Sequence, residues 1–498
     1  MENEVVKKRT QTQPMLIKHD VWTKLALILS DLFSLSIAAM IANALHWVYL
    51  DHDDLHFMSL WTGELADPRL LILALLILLS IAAFLMLGHY SRRRPFWEEL
   101  PEILRVLIVL AALDATMLYL SKLQFSRFWF IGLWLGAIVL IPSLRRLTKR
   151  ILLKMNLWQR PAIVLGTGQN ARETAAALQS DLDLGYKVLA FAIPKSVEWR
   201  ENQELVIGGC HIPLIKFDSE DPSCYKGWNN STLVVAYDQQ DELNDQIKFV
   251  SRLHRQCDDL HIALPLRGLP LFGTRINYFF RHEVLFLSLT NNLARHGPRF
   301  FKRTFDLILS SLLLLVTLPI LCYLVFHIRR DGGNALYVHE RIGQRGEPFN
   351  CLKFRTMVPN AQLVLDNFLA TNACARIEWE CGFKLKADPR VTPMGRILRR
   401  YSLDELPQLW NVFIGEMSLV GPRPIVECEL QRYGEDADFY LETKPGITGL
   451  WQISGRNDTS YSERVYLDVW YAKNWSLWMD IVILAKTVSV VLRNRGAY

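Results

Sequence analysis

Long apolar runs organise the first third of the chain. Trp22 to about Leu50, Leu70 to about Tyr90, Glu102 to about Leu120 and Phe125 to about Ile141 are each apolar over roughly the 17–25 residues that cross a bilayer, which predicts four transmembrane helices in a domain spanning residues 1–155. From about Trp158 the pattern shortens. Ala162–Leu165, Val188–Ile193, Thr232–Ala236 and His261–Leu264 read as strands, with a helix near Asp241–Gln256, and this alternation predicts a parallel, Rossmann-like sheet over residues 156–285. Leu307 to His327 is again long enough to span. Lys302-Arg303 stand before it and Arg329-Arg330 after it, so both ends favour the same membrane face, and Pro319 near its middle removes an amide donor. A re-entrant helix-break-helix over about 303–329 satisfies both signals and opens a third domain, residues 286–498. The expected fold class is a membrane α plus α/β protein.

Charge sets the orientation. The N-terminal tail, Arg92-Arg93-Arg94, and Arg145-Arg146 with Lys149 and Arg150 are basic, whereas the 51–69 loop carries Asp51, Asp53, Asp54, Glu64 and Asp67 against Arg69. By the positive-inside rule both ends of the bundle lie in the cytoplasm, as expected of a multi-pass membrane protein. No removable signal peptide is expected. Asp31 and Asp114 sit inside apolar helices, where we expect each to make an interhelical hydrogen bond.

Half of the residues are hydrophobic and the net charge is only +6, with no long Lys/Arg tract, so no nucleic-acid partner is expected. The eight cysteines form no CxxC pair and are absent from the first 209 residues, which argues against a disulfide framework or a zinc site. Gly166-Thr-Gly168-Gln-Asn-Ala171 follows the first strand as a dinucleotide loop would. The acid expected about 20 residues later is replaced by Gly185-Tyr186-Lys187, which favours a tight turn in a regulatory or assembly domain over an NAD site.

Candidate chemistry concentrates in Asp388 to Pro424. Ser402-Leu-Asp404-Glu405 leads into Leu406, Leu409 and Val412, so Ser402 reads as a helix N-cap with Glu405 closing a capping box, and Asp404 as a carboxylate kept ionised by a helix N-terminus. Capping leaves unexplained why Arg390, Arg396, Arg399, Arg400 and Arg423 crowd the same run. Arginine forks suit phosphate, and a carboxylate beside a metal can attack phosphorus. Arg396, Arg399 and Arg400 lie at helical spacing, and at least one is assigned to the membrane interface. Asn474-Trp-Ser-Leu-Trp478 and Ile481–Val491 read as an interfacial amphipathic stretch, with ordinary core packing as the alternative. GxxxxGK[ST] and the kinase HRD/DFG pair are missing.

Lys353-Phe-Arg355-Thr-Met, Lys444-Pro-Gly-Ile-Thr-Gly449-Leu-Trp451-Gln452 and Ser454-Gly-Arg456-Asn-Asp458 surround that core. Together the stretches resemble the monotopic, polyprenol-phosphate-dependent phosphoglycosyl transferases, in order from Phe300 to the C-terminus. Asn291-Asn-Leu-Ala, FKRTFD (301–306), RDGG (330–333) and Gly496-Ala-Tyr498 resemble the galactose-transferring members. The resemblance implies an α-rich phosphoglycosyl transferase domain with a re-entrant helix, in which Thr317-Leu318-Pro319 stands where the family usually has Ser-Pro. It also implies that Asp404 attacks the sugar-bearing phosphorus of UDP-galactose, that Glu405 associates with Mg²⁺, and that undecaprenyl phosphate takes the phosphosugar to start a surface polysaccharide. Lys353, Arg355, Arg390 and Arg423 are the candidate substrate-binding cations. Transfer of glucose 1-phosphate from UDP-glucose is the runner-up, a membrane receptor or assembly scaffold is the reading from another class, and a homodimer is a compatible assembly.

Overall fold

In the computed structural model the chain forms two compact units, residues 1–266 and 267–498. The structure describes residues 16–49, 68–121, 127–194, 205–217 except 208, 231–236, 250–251, 253–254, 259–289 with gaps at 267, 271–272 and 279–284, and 291–492 except 373–374, 377–378, 380–384, 386–387 and 455–459. The acidic 51–67 segment, most of the expected 241–256 helix, Arg456, Asp458 and the terminal Gly496-Ala-Tyr498 lie outside the described residues.

The first unit begins with four apolar helices, α1 (Leu16–Tyr49), α2 (Pro68–Met86), α3 (Phe96–Ser121) and α4 (Arg127–Lys154). Stretches of α1, α3 and α4 are each long and apolar enough to cross a membrane, and α2 is a shorter apolar helix. Small residues let helices approach closely, and Ala38 and Ala42 of α1 are buried with Ala137 of α4. Asp114 accepts a hydrogen bond from Trp134 Nε1 at 2.9 Å, the interhelical bond expected of it. Asp31 does more. Its carboxylate takes Arg145 Nε at 2.7 Å and Nη2 at 2.6 Å, while Tyr90 Oη donates to it at 2.6 Å. Arg145 also reaches Glu99 at 2.9 Å, and Lys149 closes on the same Glu99 at 2.6 Å. Arg145 and Lys149 are therefore not the exposed basic flank that their spacing suggests: both are buried, each with a partner that repays the desolvation of its charge.

Five parallel strands follow: β1 (Arg160–Leu165), β2 (Tyr186–Pro194), β3 (Leu214–Phe217), β4 (Thr232–Val235) and β5 (Leu260–Ile262), in the order β3-β2-β1-β4-β5. β1 is central and runs Ala-Ile-Val-Leu at its C-terminal end, as a strand buried on both faces requires. Gly166, at φ +119°, turns the chain from β1 into α5 (Gln169–Ser180).

After an antiparallel pair of short strands, Arg275–Tyr278 with Leu285–Ser288, the second unit continues in α6 (His296–Ile328), a 33-residue helix that runs through Pro319 without interruption. The expected helical break is not present; only the helix's own bonding is weakened at that proline. An antiparallel pair, β6 (Leu336–Ile342) and β7 (Pro348–Phe354), precedes α7 (Ala361–Thr371), α8 (Pro393–Arg400) and α9 (Gln408–Ile414). A short parallel pair, β8 (Ser418–Val420) with β9 (Gly446–Thr448), leads to α10 (Leu450–Ser454), α11 (Tyr461–Lys473) and α12 (Leu477–Leu492). Trp475, Met479 and Ile483 are buried in the core with Met417 and Val412, so ordinary packing accounts for this part of the last helix and its approach, where the sequence suggested an interfacial stretch.

The FKRTFD run docks α6 on this core. Asp306 accepts from Ser418 Oγ at 2.8 Å and Leu419 N at 3.2 Å, Lys302 reaches Asp480 at 2.7 Å, and Arg303 donates to the carbonyls of Val412 and Phe413 at 2.7 Å each. At the other end of the helix, Leu324 and Ile328 bury against Phe354 and Leu398.

Candidate active site

Thr392 caps α8 by accepting from the Gly395 amide at 2.9 Å, with Pro393 in the first turn. At the far end of that helix the chain reverses through Ser402, whose φ of 55° is left-handed and unusual for a residue with a side chain. Ser402 makes no side-chain cap bond, so the expected capping box is absent: Leu403–Glu405 is a separate turn of 3₁₀ helix, and α9 starts only after Pro407. The turn directs Asp404 and Glu405 into a cavity of about 1040 Å³. That volume stands at the upper end of the roughly 300–1,000 Å³ typical of small-molecule sites.

Lys353, Arg355, Arg399 and Arg423 line the cavity with the two acids. Lys353 extends from β7 to Glu405 Oε1 at 2.7 Å. Arg355 bonds the carbonyls of Asn334 and Ile328 at 2.8 and 3.1 Å, tying the cavity to the end of α6. Arg423 stands in the Gly-Pro-Arg-Pro turn, 5.6 Å from the Trp451 ring centre. Leu313 and Thr317 of α6 and Thr487 and Val490 of α12 complete a less polar wall.

Arg390 is not part of this constellation. It closes on Asp388, with Nη2 to Oδ2 at 2.6 Å and Nε to Oδ1 at 2.9 Å, and lies over Trp379 at 5.0 Å. A carboxylate two residues away in the same turn satisfies its fork, and Arg390 does not line the cavity.

The family model for bacterial sugar transferases matches residues 297–494. Over 478 residues the chain is 43% identical to the undecaprenyl-phosphate galactose phosphotransferase of Salmonella typhimurium, covering 95% of this chain and 97% of that protein. The chain belongs to the bacterial sugar transferases. It is also 43% identical over 479 residues to the UDP-galactose-lipid carrier transferase of Erwinia amylovora (95% and 97% covered), and 44% identical over 433 residues to an uncharacterized sugar transferase of Haemophilus influenzae (87% and 90% covered).

The electrostatics of this sugar transferase site are uneven. Burial, and then the charge of Glu405, push the Asp404 carboxyl up from the ordinary 3.8 to about 6, while Lys353 and Arg399 act in the opposite direction. The first-turn position read from the sequence implied a carboxylate held ionised; desolvation outweighs that effect here. Arg399 is the site cation that its spacing alone did not single out. It lines the cavity and donates from Nε to Thr356 Oγ1 at 3.0 Å, whereas its helical neighbours Arg396 and Arg400 do not line it. Trp451 and Gln452, quoted in the sequence only as part of a run, also reach the cavity.

Proposed function

We propose that this sugar transferase moves galactose 1-phosphate from UDP-galactose to undecaprenyl phosphate through a covalent phosphosugar on Asp404. The observation that carries the reading is the pair Asp404 and Glu405, set side by side in a cation-lined cavity with one wall formed by α6. An Asp404 oxygen attacks the sugar-bearing phosphorus, and the bond to UMP breaks as UMP leaves. A phosphate oxygen of the polyprenyl acceptor then attacks the same phosphorus, the aspartyl ester breaks, and undecaprenyl diphosphate-galactose departs with Asp404 restored. The names of the two relatives that match over nearly the whole chain support galactose as the sugar.

The donor set suits Mg²⁺, which takes one or two carboxylates and fills its remaining positions with waters and substrate phosphates. Glu405 is the residue that would hold it, and the ion would supply charge neutralisation opposite the approaching carboxylate. Arg423, Arg355 and Lys353 meet the donor's diphosphate.

The acceptor's 55-carbon tail keeps it in the bilayer, at about 0.8 kcal/mol per buried CH₂, so the catalytic domain works at the membrane. We read α6 as re-entrant. At 33 residues it is about 50 Å long, yet its N-terminal end is bonded to residues 412–420 and its C-terminal end to Arg355 of the same domain, with cations at both ends. The middle domain is read as Rossmann-like from its parallel strand order and its Gly166–Gly168 turn, with a regulatory or assembly role on the cytoplasmic side of a bacterial inner membrane. A homodimer is expected; crosslinking in native membranes would trap it.

Purified protein in nanodiscs, given UDP-galactose, undecaprenyl phosphate and Mg²⁺, should release UMP. Preference for UDP-glucose would overturn the sugar, and full activity in Asp404→Asn would overturn the nucleophile.

A further inference from the structure

Several buried polar atoms without a hydrogen-bond partner gather behind one wall of the cavity: Trp451 Nε1 and Gln452 Oε1 on α10, and Tyr461 Oη, Arg464 Nε and Asp468 Oδ1 on α11. Three of these residues, Trp451, Tyr461 and Arg464, join Arg423 and Arg432 in an alternating stack of cations and rings. Arg423 lies 5.6 Å from the Trp451 ring centre, Arg464 lies 4.4 Å from that ring and 5.4 Å from Tyr461, and Arg432 lies 4.9 Å from Tyr461. Arg423 and Trp451 line the cavity with Asp404; Arg464 does not.

Two guanidinium groups on one indole attract the ring and repel each other, so the arrangement needs a counter-charge. Asp468, one helical turn beyond Arg464, is 2% exposed and accepts from Tyr433 Oη at 2.9 Å with its other oxygen. Burial raises its carboxyl to about 7, against the Tyr433 hydrogen bond and the charges of Arg464 and Arg423. Near neutral pH the carboxyl is thus shared between its neutral and ionised forms and offsets the two arginines only in part.

We propose that Arg464 is a positioning residue for the donor: pressed on Trp451, it fixes the ring on which Arg423 rests, so that Arg423 is already in place for the donor's diphosphate. A flexible Arg423 would have to be ordered on binding, and that cost would fall on donor affinity. The inference rests on the reading that the donor is a UDP-sugar, and it adds a residue that touches neither substrate nor reacting atoms.

Steady-state UMP release by the full-length protein in nanodiscs tests it. Arg464→Met should raise the donor KM about tenfold while kcat and the acceptor KM stay within twofold, and Arg464→Lys should recover most of the loss because the cation remains over the ring. Arg464→Met added to Arg423→Met should raise the donor KM no further than Arg423→Met alone, since residues acting through one another are not additive. A donor KM within twofold of wild type in Arg464→Met, a loss confined to kcat, or full additivity with Arg423→Met would overturn the proposal. Should Arg464→Met fail to fold, Trp451→Phe takes its place: it keeps a ring with a weaker face and should raise the donor KM by a smaller factor, and an unchanged value would overturn the proposal. Wild-type protein that releases no UMP from any UDP-sugar would instead overturn the donor reading on which it rests.

Discussion

Lys353 Nζ stands 2.7 Å from Glu405 Oε1, and the same lysine also pulls down the carboxyl of Asp404 that Glu405 pushes up. One cation thus acts on two adjacent acids. Removing it in Lys353→Met should raise the Asp404 pKa above its present value of about 6. A nucleophile must be ionised, so the acid limb of the pH profile for UMP release should move to higher pH. Activity lost at pH 7 should return in part at pH 8.5; an unmoved limb would show that Lys353 acts only on substrate.

Asp404→Asn should lower UMP release by about a thousandfold or more, as expected for loss of a covalent nucleophile. It should also stabilise the fold. The native carboxyl titrates near 6 against an ordinary 3.8, so above about pH 6 the ionised group is disfavoured in the folded protein, and this cost fades as the pH falls toward 4. Thermal unfolding in detergent should give Asp404→Asn the higher Tm at pH 7.5, with the difference closing near pH 4.

Arg423→Ala and Arg390→Ala separate a site arginine from a structural one. The first removes a cavity-lining cation and should raise the donor KM by about tenfold or more, the scale of a hydrogen bond to a charged group. Arg390→Ala breaks its pairing with Asp388 outside the cavity and should leave the donor KM within twofold. Equal effects on the donor KM would contradict the geometry.

Asp31 and Arg145 form a buried pair in the helix bundle, with side chains 0% and 3% exposed. Arg145→Met leaves Asp31 without its cation, with Tyr90 Oη still donating to it, and should cost about 3–5 kcal/mol, read as a lowered unfolding temperature in detergent. Asp31→Asn in the same chain should recover part of that loss by removing the stranded charge; no recovery would mean that Glu99, not Asp31, is the partner that matters.

Apolar run lengths marked the membrane helices, and the spacing of short strands marked the parallel sheet, although β3 went unseen. Asp404, Glu405, Lys353, Arg355 and Arg423 were legible from residue type and motif order, and all five meet in one cavity. Arg390 and Arg399 were not separable, because an arginine-rich run does not say which side chain finds a carboxylate first: Asp388 captures one, and Thr356 on a distant loop orients the other. Ser402 looked like a cap, yet the backbone at that point turns left-handed instead. The sequence placed Arg145 in a basic run without a partner, and packing brought Asp31 and Glu99 beside it. The sequence alone determined the periodicities, the apolar segments and the residue types that gather in the cavity, since these depend on the residues themselves and their near neighbours. Only the tertiary structure decided which charges are partnered, which are left for substrate and how far burial moves the carboxyl of Asp404, because desolvation and pairing depend on groups brought together from distant parts of the chain.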